Sequence, residues 1–336
     1  MSKKILILGA GLMQKPAILA AKELGYTAVV VDANPAAVCV PLADRFEPVD
    51  LKDKEALARL ADSIQAERGD DGDGGLAAVF TAGTDFSASV AYVAEHCGLC
   101  GHRFEAALNA SDKVRMRACF ARAGVPSPAF AEVTAAALPS LAEKAERGEV
   151  TFPKVVKPCD NMGGRGCRLV RSADELCDAV QDAVAHSRSG RAILEDYMDG
   201  PEFSIDAIVC NGALTVTGFA DRHIYYPPYF IEMGHTMPSS ASELVRHELI
   251  SAFALGVQAL GLTHGVAKAD IKYTSCGPMI GEIAARLSGG YMSGWTYPYA
   301  SDVPLTRYAL QVALGTERAE LASARVAVPW LTPAGS

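Results

Sequence analysis

Lys3 to Leu8 is an apolar run that ends in Gly9-Ala10-Gly11, continues as a helical pattern to Leu24 and returns as a second apolar run, Ala28 to Val31, ending at Asp32. That order is a β-α-β unit, and a chain that begins this way commits to parallel strands whose crossovers are covered by helices. The glycine fingerprint of dinucleotide-binding turns needs a third glycine at position 14, where Gln14 stands, so a nicotinamide site loses its key residue and rests on Asp32 alone. A helix over Lys54 to Gln65, an exposed loop over Arg68 to Gly75 and a strand over Leu76 to Phe80 continue the pattern. The strand ends in Thr81-Ala82-Gly83-Thr84-Asp85, at the position where open α/β sheets take ligands. The same residues also serve as the N-cap of a helix over Phe86 to His96.

From Ser111 the pattern changes. Ser111-Asp112-Lys113 caps a helix running to Ala123, which Gly124-Val125-Pro126-Ser127-Pro128 ends, and a charged helix with an apolar stripe follows at 139–149. In the stretch Phe152 to Arg171, Lys157 ends an apolar strand and Pro158 stops it from continuing as a ladder partner. Gly163, Gly164 and Gly166 can bring backbone N–H groups close to an anion, and Arg165 adds a permanent charge. The same glycines also satisfy a tight hairpin turn, so this segment alone leaves a phosphate cradle and a plain turn both open. A helix over Ala173 to Ala185 and strands over Ala192 to Glu195 and Phe203 to Val209 come next. Strand pairs alternating with single helices make this an α+β region behind an α/β start.

Composition bounds the partners. A chain of 336 residues, half hydrophobic and 21% charged, is an ordinary globular protein of two or three lobes. A net charge of -8 argues against a nucleic-acid partner but leaves room for a local basic pocket. No run of eighteen apolar residues occurs and the N-terminus leads straight into a strand, so no membrane partner and a cytoplasmic location are expected. The nine cysteines favour reduced thiols, and Cys97 and Cys100 form a CxxC without a second pair to complete a zinc site.

Three acidic or basic clusters follow the glycine turn. Glu195-Asp196-Tyr197-Met198 and then Pro201-Glu202 place carboxylates at a strand end beside backbone groups able to read an adenine edge and a ribose; an acidic surface turn is the plain alternative. Asp270, on an alternating strand over Val266 to Tyr273, and Glu282, in Met279 to Ile283, are twelve residues apart across a turn. An antiparallel hairpin of that size can bring both onto one face, where a divalent cation is the natural neutraliser; a pair of solvated strand residues is the plain alternative, weakened by the apolar flanks of Glu282. Four residues on, Arg286 in Ala284-Ala285-Arg286-Leu287-Ser288-Gly289-Gly290 suits a transferring phosphoryl group or an oxyanion. Ser288 and Gly289 can add hydroxyl and backbone donors.

Taken in order from Lys3 to about Gly290, these segments resemble the ATP-grasp superfamily, most closely the branch of biotin carboxylase, carbamoyl-phosphate synthase and L-amino acid ligases. The resemblance implies a Rossmann-like pre-ATP-grasp lobe over 1–108, a small ATP-grasp lobe with the adenine hinge over 109–200, a large lobe with the metal and substrate site over 201–318, and a tail over 319–336. It implies ATP and Mg2+ (or Mn2+) as cofactors, Lys113 and Lys157 as nucleotide lysines, and Gly163-Gly164-Arg165-Gly166 as the flexible loop over the phosphates. Glu195 to Met198 resembles the adenine hinge, Glu202 a ribose-binding acid, Asp270 and Glu282 the magnesium carboxylates, and Arg286 the phosphate-stabilising arginine, catalytic together with Lys157. Ala284 departs from the asparagine frequent at that position, and Asp270 from the commoner glutamate, which bears on metal geometry and on the number of metals.

The implied chemistry is phosphorylation of a carboxylate by ATP and attack of an amine on the acyl phosphate, with an amino acid or peptide-like molecule as the expected substrate. Asp221 to Ser240, with Arg222, Glu232 and His235 among tyrosines and prolines, is the candidate substrate wall, and its Glu-x-x-His resembles the amino-acid-contacting segment of L-amino acid ligases. An irregular connection whose tyrosines cover the sheet is the alternative there. Bicarbonate activation of the carboxylase type and ATP binding without turnover are the competing functions. Only 46 residues follow Gly290, so a lid of the kind a further C-terminal domain supplies is expected to be missing or to come from a partner subunit, as a homodimer would allow.

Overall fold

A computed structural model describes residues 2–68 and 74–316. Most of the loop expected at 68–75 and all of the tail at 319–336 lie outside the described residues. The first lobe holds β1 (Lys4–Leu8), α1 (Lys15–Glu23), β2 (Thr27–Val31), β3 (Arg45–Glu47), α2 (Lys54–Ala66), β4 (Leu76–Phe80) and α3 (Ser87–His96). Its four strands are parallel in the order β3-β2-β1-β4. β1 is buried at all five positions, as a central parallel strand must be when both faces are covered. Leu6 and Leu8 pack with Leu57 and Ile64 of α2, whereas Ile5 and Ile7 face Ile18 of α1. The short polar edge strand β3 carries no periodic signal and was not expected from the sequence.

Gln14, which stands in place of the fingerprint glycine, is fully buried. Its amide donates to the Ala82 carbonyl at 2.5 Å and accepts from the Ala82 N–H at 3.0 Å, pinning the turn after β4 against the turn after β1. Asp32 accepts the Ala10 and Asn34 N–H groups at 2.8 and 2.9 Å. Both residues on which a dinucleotide reading turned are thus committed to holding loops.

α4 (Phe104–Ser111) and α5 (Lys113–Ala123) meet at Asp112, whose carboxylate caps α5 by accepting from the Val114 and Arg115 N–H groups. The small lobe comprises β5 (Phe130–Thr134), α6 (Leu138–Glu146), β6 (Lys154–Pro158), β7 (Arg168–Val170), α7 (Leu176–His186) and β8 (Arg191–Asp196), with an antiparallel sheet ordered β5-β8-β6-β7. Val156, Val170, Leu176, Val180 and Leu194 form its core.

The large lobe is the antiparallel sheet β11-β10-β9-β12-β13, from β9 (Glu202–Cys210), β10 (Ala213–Tyr225), β11 (Ile231–Thr236), β12 (His264–Thr274) and β13 (Gly277–Ala284), with α8 (Glu243–Leu260) across one face. Gly256 lets α8 approach closely, since a Cβ there would lie 2.5 Å from Ile283 Cδ1. The stretch Asp221 to Ser240 is a β-hairpin here, not an irregular connection.

Packing departs from a linear division of the chain in two places. Met116 and Phe120 of α5 share the large-lobe core with Phe253 and Ile283, so this helix, expected with the small lobe, sits on the large one. After α9 (Tyr297–Ser301), Leu305 and Leu310 of α10 (Leu305–Ala313) pack with Ile5 and Ile18, which returns the end of the described chain to the first lobe. In each case a helix follows its apolar face rather than its sequence neighbours. None of the nine cysteines is in a disulfide, and among the described residues no helix is long and apolar enough to cross a membrane.

The small and large lobes join at Asp199-Gly200. Gly200 has φ +79°, and a Cβ there would lie 2.1 Å from the Tyr273 carbonyl oxygen. Gly200→Ala is expected to cost at least about 2 kcal/mol, through backbone strain and the clash together, as read by urea unfolding.

Candidate active site

The cleft between the two antiparallel sheets encloses about 530 Å3. Every site residue expected from the sequence lines it except Gly166 and His235. The hairpin expected over these residues is present, and Asp270 of β12 pairs directly with Glu282 of β13. Alternation along β12 puts Lys268 and Lys272 on the same side as Asp270, and both line the cleft. These two lysines were missed, although the run Lys268-Ala269-Asp270-Ile271-Lys272 carried the signal.

Charges in the cleft interlock. Arg222 Nη1 lies 2.5 Å from Glu202 and 2.7 Å from Asp270 Oδ1, and its guanidinium also holds Glu232. Lys268 pairs with Asp270, and Lys113 stands 3.6 Å from Glu282 while donating to the Asn161 carbonyl at 2.9 Å. Burial pushes the Asp270 carboxyl up, but Arg222 and Lys268 outweigh it and hold the group below its ordinary value. Burial acts the same way on Glu282, and Lys113 reverses it. For Glu202 burial wins over Arg222, and its carboxyl is raised.

The hinge segment is arranged differently from the expectation. The Glu195 carboxylate turns inward, is 2% exposed, and lies 2.7 Å from Arg117 Nε and 2.6 Å from Lys157 Nζ. Asp196 is paired with Lys154. The hinge acids are therefore spent on protein cations, and what this segment offers a ligand is its backbone with Tyr197 and Met198. Lys272 donates to the Met198 carbonyl at 3.2 Å and stands over the Tyr197 ring. Arg117 was missed because it lies on a helix with no motif around it; its Nη2 also reaches the Gly281 carbonyl at 2.6 Å, beside Glu282.

The glycine turn lies against the β10–β11 hairpin. Gly164 has φ +67° and leaves 3.2 Å between a would-be Cβ and the Phe230 carbonyl oxygen, and the Leu169 N–H donates to the Pro228 carbonyl at 2.8 Å. A bulge in the β10–β11 register brings Glu232 and His235, three apart, to one side, where Nε2 of His235 is 3.5 Å from Glu232. His235 stands behind Glu232 rather than on the cleft wall.

Arg286 is 7% exposed and faces the first lobe, 3.4 Å from Asp85. Asp85 was missed as a site residue although the polar cluster after β4 contained it. That cluster packs on the arginine loop through glycines: a Cβ on Gly83 would lie 3.1 Å from Gly289 Cα. Ser288 lines the cleft, but both its N–H and its hydroxyl are given to Asp206, so it has no donor left for a ligand.

Sequence comparison agrees with this geometry. Residues 150–294 match the ATP-grasp domain model and residues 1–67 the ribonucleotide synthetase preATP-grasp domain model. Carnosine synthase 1 of Gallus gallus is 29% identical over 93% of this chain and 35% of its own length. The carbamoyl phosphate synthase large chain of Vibrio parahaemolyticus is 31% identical over 62% of this chain and 18% of its own. The chain thus spans about a third or less of these two curated relatives. The crystal structure of an L-amino acid ligase from Bacillus licheniformis superposes with a TM-score of 0.76 at 22% identity, over 94% of this chain and 76% of that one. Residues 150–294 are thus an ATP-grasp domain, with a preATP-grasp domain at residues 1–67 in front of it.

The residues fit a magnesium ion of the kind that takes one or two carboxylates and completes its shell with phosphate oxygens and water. Asp270 Oδ1 is buried and accepts no hydrogen bond, with Arg222 Nη1 beside it at 2.7 Å as an ion-pair partner. Asp270 and Glu282 would hold the ion.

Arg117→Ala is expected to destabilise the fold by about 3 kcal/mol in urea unfolding at pH 7, since it leaves a buried carboxylate with Lys157 as the remaining cation of the pair that holds it. Burial raises the Glu195 carboxyl, but Arg117 and Lys157 bring it below its ordinary 4.5. Its stabilisation is therefore complete above about pH 4.5 and is lost as the pH falls through the lower folded value, so the gap between the two proteins narrows only in that acidic window.

Proposed function

We propose that this chain binds Mg·ATP in the cleft and activates a carboxylate as an acyl phosphate for attack by an amine. The observation that carries the reading is the convergence, in one cavity, of the opposed Asp270 and Glu282, of Lys113 and Lys157, and of the buried Arg286. The carboxylate oxygen attacks the γ-phosphorus, the bond to the β–γ bridging oxygen breaks, and ADP leaves. The amine nitrogen then attacks the acyl carbon, inorganic phosphate departs and the nitrogen loses its proton.

Asp270 and Glu282 would hold the ion, whose chemistry would be to neutralise the negative charge that develops during phosphoryl transfer. Lys113 and Lys157 supply compact positive charge toward the phosphates, with Lys157 oriented by Glu195. Arg286, oriented by Asp85 and by its bond to the Leu287 carbonyl at 3.1 Å, faces the oxygens on which negative charge grows. Glu232, shared between Arg222 and His235, is the acid that meets an ammonium group. Ile224, Phe230 and Ile231 wall the same end of the cavity, which favours a substrate bulkier than bicarbonate, such as an amino acid.

Magnesium-dependent ADP release should rise with at least one pool of amino acids. Release that rises with bicarbonate alone supports the carboxylase reading, and release flat under every addition supports binding without turnover. Arg286→Ala should lower turnover about 10²–10³-fold while nucleotide affinity by calorimetry stays within a few-fold. Glu232→Ala should raise KM for the amino-bearing substrate and leave KM for ATP unchanged; an unaltered substrate profile places the amine elsewhere.

A further inference from the structure

Asp206 belongs to none of the roles above, yet it is the most deeply placed acid near the site. It lies on β9, opposite Lys268 of β12 and Gly218 of β10, and is 0% exposed. Removing a carboxylate from water is tolerated only where strong donors replace the solvent. Both donors come from one residue: the Ser288 N–H reaches Oδ1 at 2.9 Å and the Ser288 hydroxyl bonds Oδ2. Ser288 is fixed a third time by the Ser293 hydroxyl, which donates to its carbonyl at 2.6 Å.

Ser288 is two residues from Arg286 and adjacent to Gly289, which rests on Gly83 of the first lobe. The loop between β13 and the turn at Met292 thus gives both of Ser288's donors to one acid beneath it. We propose that Asp206 is the positioning residue of the active site, holding the Arg286 loop through Ser288 so that the guanidinium meets the reacting phosphoryl group. The part played by Arg286 in this inference rests on the function proposed above.

The groups facing Asp206 are Lys268 from β12, Arg286 from the loop it holds, and Tyr297, whose phenol donates to the Ser204 carbonyl at 3.0 Å and whose ring fills the space over Gly218. Burial outweighs the Ser288 donors and the two cations and pushes the Asp206 carboxyl up to about 6. Above that value both oxygens accept. As the pH falls through it, a proton occupies one of them and one Ser288 bond loses its acceptor, so turnover carries an acidic limb near pH 6.

The test is a double-mutant cycle of Asp206 and Arg286 with hydrogen exchange as a second readout. Asp206→Asn keeps the shape and one acceptor; it should flatten the acidic limb and lower kcat by about tenfold, with KM for ATP within twofold. Asp206→Ala should lower kcat by about 10²-fold, the scale of an ångström-sized misplacement of a catalytic group. Because Asp206 acts through Arg286, Asp206→Asn combined with Arg286→Ala should be no slower than Arg286→Ala alone. Additive losses, or an acidic limb that survives Asp206→Asn, would overturn the proposal.

Hydrogen exchange separates this proposal from the functional reading. Amides of residues 286–290 should lose protection in Asp206→Asn while those of β9 and β12 keep theirs, whether or not a substrate has been found. Unchanged protection at 286–290 removes the positioning role. Absence of any ATP-dependent turnover in the wild-type protein, with protection lost as expected, counts against the function and leaves the positioning role standing.

Discussion

The buried ion triplet of Arg117, Glu195 and Lys157 is the constraint on which the rest of the structure depends. Glu195 is the last residue but one of β8 in the small lobe, Lys157 the last but one of β6 beside it, and Arg117 comes from α5, which is packed on the large lobe. One buried carboxylate therefore ties the two halves of the cleft together and aims a lysine into it. Arg117 extends the tie to the Gly281 carbonyl, next to Glu282. The relative placement of residues 195–198, Lys157 and the Asp270–Glu282 hairpin follows from one set of charge-assisted bonds that is stable only if all its members are present.

The same logic of compensated burial runs through the cleft. Asp270 and Glu282 sit side by side, and Arg222, Lys268 and Lys113 make that tolerable. The cation and phosphates proposed to enter this space would exchange partners with charges already paired rather than fill a bare anionic cage. The first lobe closes the other end: Gln14 pins the turn after β4, and that turn delivers Asp85 to Arg286 and Gly83 to Gly289. The β-α-β unit serves here as a rigid support for one loop rather than as a nucleotide site in its own right.

Much of this was legible in the sequence because it rests on local rules. The β-α-β start, the Asp112 cap, the glycine turn after Lys157 and the Asp270–Glu282 hairpin all follow from periodicity, capping and turn chemistry. What stayed hidden depends on tertiary partners. Arg117 looks like any helix arginine until Glu195 is brought to it, and Asp206 reads as one residue of an apolar strand until Ser288 folds over it. The inward turn of Glu195 was missed for the same reason, since a strand-end acid carries no mark of which side it will face. Lys268 and Lys272 differ: strand alternation already placed them with Asp270. The helices α5 and α10 went to unexpected lobes because an apolar stripe states that a face will be buried, not against what.

The central claim is that a carboxylate oxygen becomes the leaving phosphate's oxygen. Turnover with amino acids labelled with 18O in the carboxyl group, in the presence of Mg·ATP, tests it most directly. The account predicts one labelled oxygen in each inorganic phosphate released, with ADP formed in equal amount. Phosphate that acquires no label while product and ADP accumulate would contradict it.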